Sequence, residues 1–175
     1  MITPFTNEGK VDYPAIPLIL ENITTGRADY IVLMGTTAES SCLSSQEKNE
    51  IIKIVVRANK KRLPLVIGIG GNNTAKVVEE IQNTNLSYFQ AILSVSPYYN
   101  KPTQEGIYQH YKKIANASSL PIIVYNVPSR TGTNIDVNTF VRLSTDFENI
   151  IAIKEASGEM SHAENIIKNS PSHVQ

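Results

Sequence analysis

Tryptophan is absent, cysteine occurs once, and aromatic residues make up only 7% of the chain. A lone cysteine excludes any internal disulfide. Cys42 is flanked by Ser41 and Leu43, neither of which can activate a thiol, so its expected role is structural. Excess charge of either sign is missing too, with 16 Lys and Arg against 16 Asp and Glu. Without a dense run of one sign, nucleic acid and anionic membrane are excluded as expected partners, and a small molecule is favoured. No apolar stretch approaches the ~18 residues that a membrane helix needs. The N-terminus has no basic segment followed by an apolar one and a cleavage site, so a cytoplasmic location is expected. The histidines, His110, His162 and His173, have no carboxylate or second histidine at ligand spacing; neither metal nor cofactor is expected.

What is present is 175 residues with 41% hydrophobic content, enough to bury a sizeable core as one domain over residues 1–175. Short apolar runs rich in β-branched residues stand at Tyr30 to Met34, Leu65 to Ile69, Ala91 to Val95, Ile122 to Tyr125 and Ile150 to Ile153, with a further remnant at Met1 to Thr3. Amphipathic stretches separate them, such as Ile51, Ile52, Val55 and Val56 at helical spacing. Helix starts are marked by Asp12 ahead of Pro14, Ser44 with Glu47 as a capping box, Thr74, Thr103 and Asp136. Runs recur about every 25 to 35 residues, the size of a βα unit. This alternation fits a buried parallel sheet flanked by helices, in a doubly wound sheet or a barrel. Several different runs end in polar residues, whereas a doubly wound sheet gathers its site at one switch point; the barrel is therefore favoured.

Lys154 follows Ile150-Ile151-Ala152-Ile153 directly and is expected at the C-terminal end of a buried strand, its amine toward the barrel mouth. Two readings are open at this point. Lys154 pairs with Glu155 or another carboxylate, or it is a Schiff-base nucleophile whose amine sheds its proton near neutral pH, an environmental effect of about 4 kcal/mol that burial can supply. The segment Tyr125-Asn126-Val127-Pro128-Ser129-Arg130-Thr131-Gly132 is expected as a loop at the same rim, because Pro128 and Gly132 stop a strand. Tyr125 there can relay protons, and Arg130 can clamp a carboxylate bidentately. Packing for Tyr125 and a solvated charge for Arg130 are the plainer alternatives. Gly35-Thr36-Thr37-Ala38-Glu39-Ser40 forms a turn whose hydroxyls and backbone N–H groups suit a carboxylate, and it lacks the ending of a phosphate loop. Gly68, Gly70 and Gly71 make a tight turn, and Tyr98 and Tyr99 follow Pro97 at the end of another run.

In this order, Thr3-Pro4-Phe5, Gly35-Thr36-Thr37, Pro97-Tyr98-Tyr99-Asn100, Tyr125 to Gly132 and Ile153-Lys154-Glu155-Ala156-Ser157-Gly158 resemble the dihydrodipicolinate synthase and N-acetylneuraminate lyase family of pyruvate-dependent class I aldolases. The resemblance implies a TIM (β/α)8 barrel in which Lys154 holds pyruvate as a Schiff base and no cofactor takes part. It implies that Gly35, Thr36, Thr37 and Asn126 belong to the substrate site, and that Thr36, Tyr125 and Tyr99 pass protons. Tyr99 would be lent across a dimer interface, in a homodimer or homotetramer. Arg130 would receive the carboxylate of L-aspartate 4-semialdehyde, giving 4-hydroxy-tetrahydrodipicolinate on the route to lysine and diaminopimelate. An N-acetylneuraminate lyase or another pyruvate aldolase is the alternative.

The family pattern is departed from at Ala38, where glycine is common, and at Lys76, Lys48 and Ser45, so feedback inhibition by lysine is not expected. About 250 residues are usual for a complete barrel. About six βα units are expected here, without most of strand one and without strands seven and eight. A catalytically inactive fragment is accordingly a further alternative.

Overall fold

β-branched side chains are stiff at χ1 and pack well on a pleated surface, and all five internal runs form strands. The computed structural model describes residues 1–175, which divide into two compact units: Met1–Gly68 with Ser87–Gln90, and Ile69–Leu86 with Ala91–Gln175. Strand pairing within each unit is parallel throughout. No helix is long and apolar enough to cross a membrane.

In the first unit, the Asp12 carboxylate accepts from Ala15 N–H and caps a single turn at Tyr13–Ala15, which leads into helix α1 (Ile16–Thr25). This helix turns Ile16 and Leu20 into the core. Strand β1 (Ile31–Leu33) is followed by α2 (Ser45–Asn59), whose start is the expected capping box: Ser44 Oγ accepts from Glu47 N–H while the Glu47 carboxylate accepts from Ser44 N–H. Strand β2 (Leu65–Gly68) pairs with β1 in the register Ile31 to Leu65 and Leu33 to Ile67. A side chain at Gly68 would run into the Met34 carbonyl, so this crossing requires glycine. Arg62 and Glu21 form an ion pair at 2.7 Å. Met1 to Thr3 is not a strand. Phe5 and Val11 instead form an antiparallel bridge, and Thr3 Oγ1 donates to Ala38 O at 2.7 Å.

In the second unit, α3 (Thr74–Asn83) is capped by Asn73 rather than Thr74, since the Asn73 side chain accepts from Lys76 N–H. Strands β3 (Ala91–Val95) and β4 (Ile122–Asn126) are separated by α4 (Gln104–Ala117), which Thr103 caps as expected. The Tyr111 ring of α4 is fully buried, and its hydroxyl donates to Ser94 O at 2.9 Å. Residues Pro128–Thr131 form a one-turn helix, α5, where a loop was expected. Pro128 stands in the first turn, where its missing N–H costs nothing, and Gly132 ends the turn at φ +72. Helix α6 (Val137–Asp146) buries Phe140 and Leu143 before β5 (Ile150–Glu155) and α7 (Met160–Asn169).

Strand β4 is buried except at Ile123, whereas β5 is buried only at Ile150. The sequence expectation of a fully buried last strand is therefore not met. On the flank away from β4, β5 is paired only by Gln175, through Gln175 N–H to Ile151 O and Ile153 N–H to Gln175 O. An apolar groove lined by Ile153, Ala163, Ile166, Ile167 and Val174 lies along that flank.

Candidate active site

Parallel pairing of β4 with β5 sets Tyr125 opposite Lys154 and Asn126 opposite Glu155. Because successive strand residues face opposite sides, these two pairs point in opposite directions. On one side, Lys154 Nζ lies 4.3 Å from the centre of the Tyr125 ring, within cation–π range. Tyr125 is 7% exposed; Lys154 is exposed, where a buried amine was expected.

On the other side, Asn126 is wholly buried with its amide fully occupied. Asn126 Nδ2 donates at 2.7 Å to both Asn134 Oδ1 and Glu155 Oε2, and Asn126 Oδ1 accepts from Ile135 N–H at 3.1 Å. Both amide N–H groups of Asn126, expected among the substrate-site residues, are thus taken up within the protein. Glu155 also accepts from Ser157 N–H, and His162 Nε2 in the first turn of α7 is 3.5 Å from Glu155 Oε2. Glu155 thus turns away from Lys154, and the reading in which the two pair is set aside. Alternation along the run Ile150 to Glu155 was the available signal for this, since neighbours in a strand cannot share a side. The contact of His162 with Glu155 had no signal at the sequence level.

Arg130 is exposed on α5. Beside it, the stem of Lys101 lies across Gly132, so that a Cβ on the glycine would sit 3.1 Å from Lys101 Cε. Tyr99 is 88% exposed and takes φ +74, and Lys101 takes φ +49. Left-handed backbone at two non-glycine residues costs of order 1–3 kcal/mol each, and such strain clusters at functional sites.

The first unit carries Gly35, Thr36 and Thr37. Gly35 is extended, and Thr36–Ala38 form one 3-10 turn closed by Ala38 N–H to Gly35 O at 3.0 Å. The hydroxyl-bearing residues Thr36 and Thr37 are exposed. The left-handed residue of this turn is Glu39, at φ +52, so the methyl group of Ala38 introduces no backbone strain. Cys42 is exposed, with Ser41 Oγ 4.0 Å from its sulfur.

Comparison with known proteins concerns the chain as a whole. The profile of the Dihydrodipicolinate synthetase family matches residues 1–175. The chain is 53% identical over 171 residues to the 4-hydroxy-tetrahydrodipicolinate synthase of Flavobacterium psychrophilum, covering 98% of this chain and 58% of that one. It is 51% identical over 175 residues to the enzyme of the same name from Azobacteroides pseudotrichonymphae, covering 100% and 59%. Among solved structures, the chloride-inhibited dihydrodipicolinate synthase of Acinetobacter baumannii complexed with pyruvate matches with a TM-score of 0.94 at 40% identity, covering 99% of this chain and 60% of that one. The α/β barrel is therefore the fold to which these strands and helices belong, and the chain spans under two thirds of the length of these relatives.

Proposed function

This chain belongs to the Dihydrodipicolinate synthetase family, and from that premise we propose that the whole protein condenses pyruvate with L-aspartate 4-semialdehyde to give 4-hydroxy-tetrahydrodipicolinate. The observation that carries this reading is the pairing of Lys154 with Tyr125 across β4 and β5, with the amine 4.3 Å from the ring centre. An amine at a strand end beside a phenol suits nucleophilic catalysis with a proton donor at hand.

The Lys154 amine attacks the keto carbon of pyruvate and a water leaves, forming the imine. Loss of a methyl proton turns the imine into an enamine, whose carbon attacks the aldehyde carbon of the second substrate. The oxygen of that aldehyde takes up a proton and becomes the 4-hydroxyl. The amine of the same substrate then attacks the imine carbon, closes the ring and returns Lys154 to its free form. One water is released overall, and no cofactor is needed.

We assign Tyr125, Thr36 and Tyr99 to proton transfer, Tyr99 being supplied by a second subunit in a dimer or tetramer. Gly35, Thr36 and Thr37 are assigned to the pyruvate carboxylate, and Arg130 to the carboxylate of the semialdehyde by a bidentate contact. The protein is assigned to the cytoplasm.

The test is turnover by the full-length protein. Pyruvate with L-aspartate 4-semialdehyde is expected to be consumed, pyruvate with N-acetylmannosamine not, and Lys154→Ala is expected to abolish the reaction. Turnover of the sugar alone moves the reading to a lyase, and undiminished activity in Lys154→Ala rejects it.

A further inference from the structure

Asn126 and Glu155 lie one residue beyond the Tyr125–Lys154 pair and face the opposite way, yet they tie the same two strands together. Their side-chain bond, Asn126 Nδ2 to Glu155 Oε2 at 2.7 Å, runs alongside a backbone bond from Ala156 N–H to Asn126 O at 2.9 Å. Asn126 cannot reverse its amide without losing Ile135 N–H from Oδ1, so its N–H groups are fixed toward Asn134 and Glu155. Glu155 is held in turn by Ser157 N–H. Every partner here is set by another, and immediately next to Lys154 one amide meeting one carboxylate adds to the backbone ladder of the two strands.

Resting on the function proposed above, we propose that Asn126 and Glu155 are positioning residues that hold the Lys154 amine and the Tyr125 phenol in reactive alignment from behind the sheet. A Lys154 free to slide relative to Tyr125 would still meet pyruvate but would lose the aligned proton donor. A misplacement of about 1 Å is enough to cost on the order of a hundred-fold in rate.

The arrangement makes a chemical demand that packing alone does not, namely one donor facing one acceptor. Asn126→Asp puts two carboxylates in contact beside His162, whose Nε2 is 3.5 Å from Glu155 Oε2, so the contact holds only when a proton sits on the pair or on His162. In the full-length protein that variant is expected to lose activity and borohydride-trapped pyruvate adduct as pH rises, and to regain both as pH falls. Both Glu155 oxygens accept, so Glu155→Gln must set its own N–H groups against either the Asn126 amide or Ser157 N–H, and it is expected to slow turnover at least about ten-fold at every pH. The exchange Asn126→Asp with Glu155→Gln restores one acceptor and one donor, so it is expected to recover rate and a wild-type pH profile.

Melting curves identify the folded variants. Wild-type rates and pH profiles in the folded single variants overturn the proposal, as does a folded double variant with no recovery. Should the single exchanges prevent folding, Asn134→Ala, which frees one Asn126 N–H without touching either strand, carries the test: slower turnover supports the brace and an unchanged rate overturns it. A wild-type protein that forms no adduct at all rejects the Schiff-base reading instead, which keeps the two failures distinct.

Discussion

At the scale of single residues, His110 shows how far burial outweighs type. It is 3% exposed on α4, its Nδ1 shares a 2.8 Å hydrogen bond with Thr74 Oγ1, and its Nε2 has no partner. Burial pushes its pKa down to about 4 from the usual 6.5. The folded state therefore binds this proton less readily than the unfolded state. The stabilising effect is complete above pH 6.5 and is lost progressively as pH falls toward 4, amounting to about 3 kcal/mol. Urea titrations from pH 7 to pH 4 are expected to show the wild type losing stability relative to His110→Gln by about that amount. Gly68→Ala meets the Met34 carbonyl and is expected to cost about 2–4 kcal/mol in the same assay, a steric mechanism that no surface substitution shares. The pair Lys154 and Tyr125 was legible because each ends an apolar run. The complete burial of Asn126 on the opposite face was not, because nothing in the motif shows which partners would satisfy its amide there.

At the scale of elements, starts were easier to find than interruptions. Ser44, Thr103 and Asp12 each cap a helical segment through their side chains, as the sequence indicated. Helix α3 starts at Thr74 as expected, but its cap is the preceding residue, since the longer Asn73 side chain takes the bond to Lys76 N–H. Helix α5 is hidden in the sequence because Pro128 ends a strand and yet, in the first turn, is compatible with a helix. Left-handed backbone at Met34, Glu39, Tyr99 and Lys101 had no glycine to announce it. Ser44→Ala removes one half of the capping box and is expected to lower stability by about 1 kcal/mol, read as a lower urea midpoint with an unchanged slope.

At the scale of the whole molecule, repetition of βα units gave the α/β class, and polar strand ends in several units gave the barrel. Burial along β5 could not be foreseen, since it depends on what lies beside the strand rather than in it. In this 175-residue chain the Ile153 amide bonds to Gln175 O at 3.3 Å, while Val124 in β4 is fully buried. Hydrogen exchange is expected to be on the order of a hundred-fold faster at Ile153 than at Val124, since local opening is easiest where backbone bonds face solvent. The central claim is that one amine, on Lys154, captures a keto acid. Its most direct measurement is peptide mass mapping of the full-length protein reduced with borohydride in the presence of pyruvate. A single pyruvate-derived adduct on the peptide containing Lys154 is predicted, and an unmodified Lys154 with label elsewhere, or none, contradicts it.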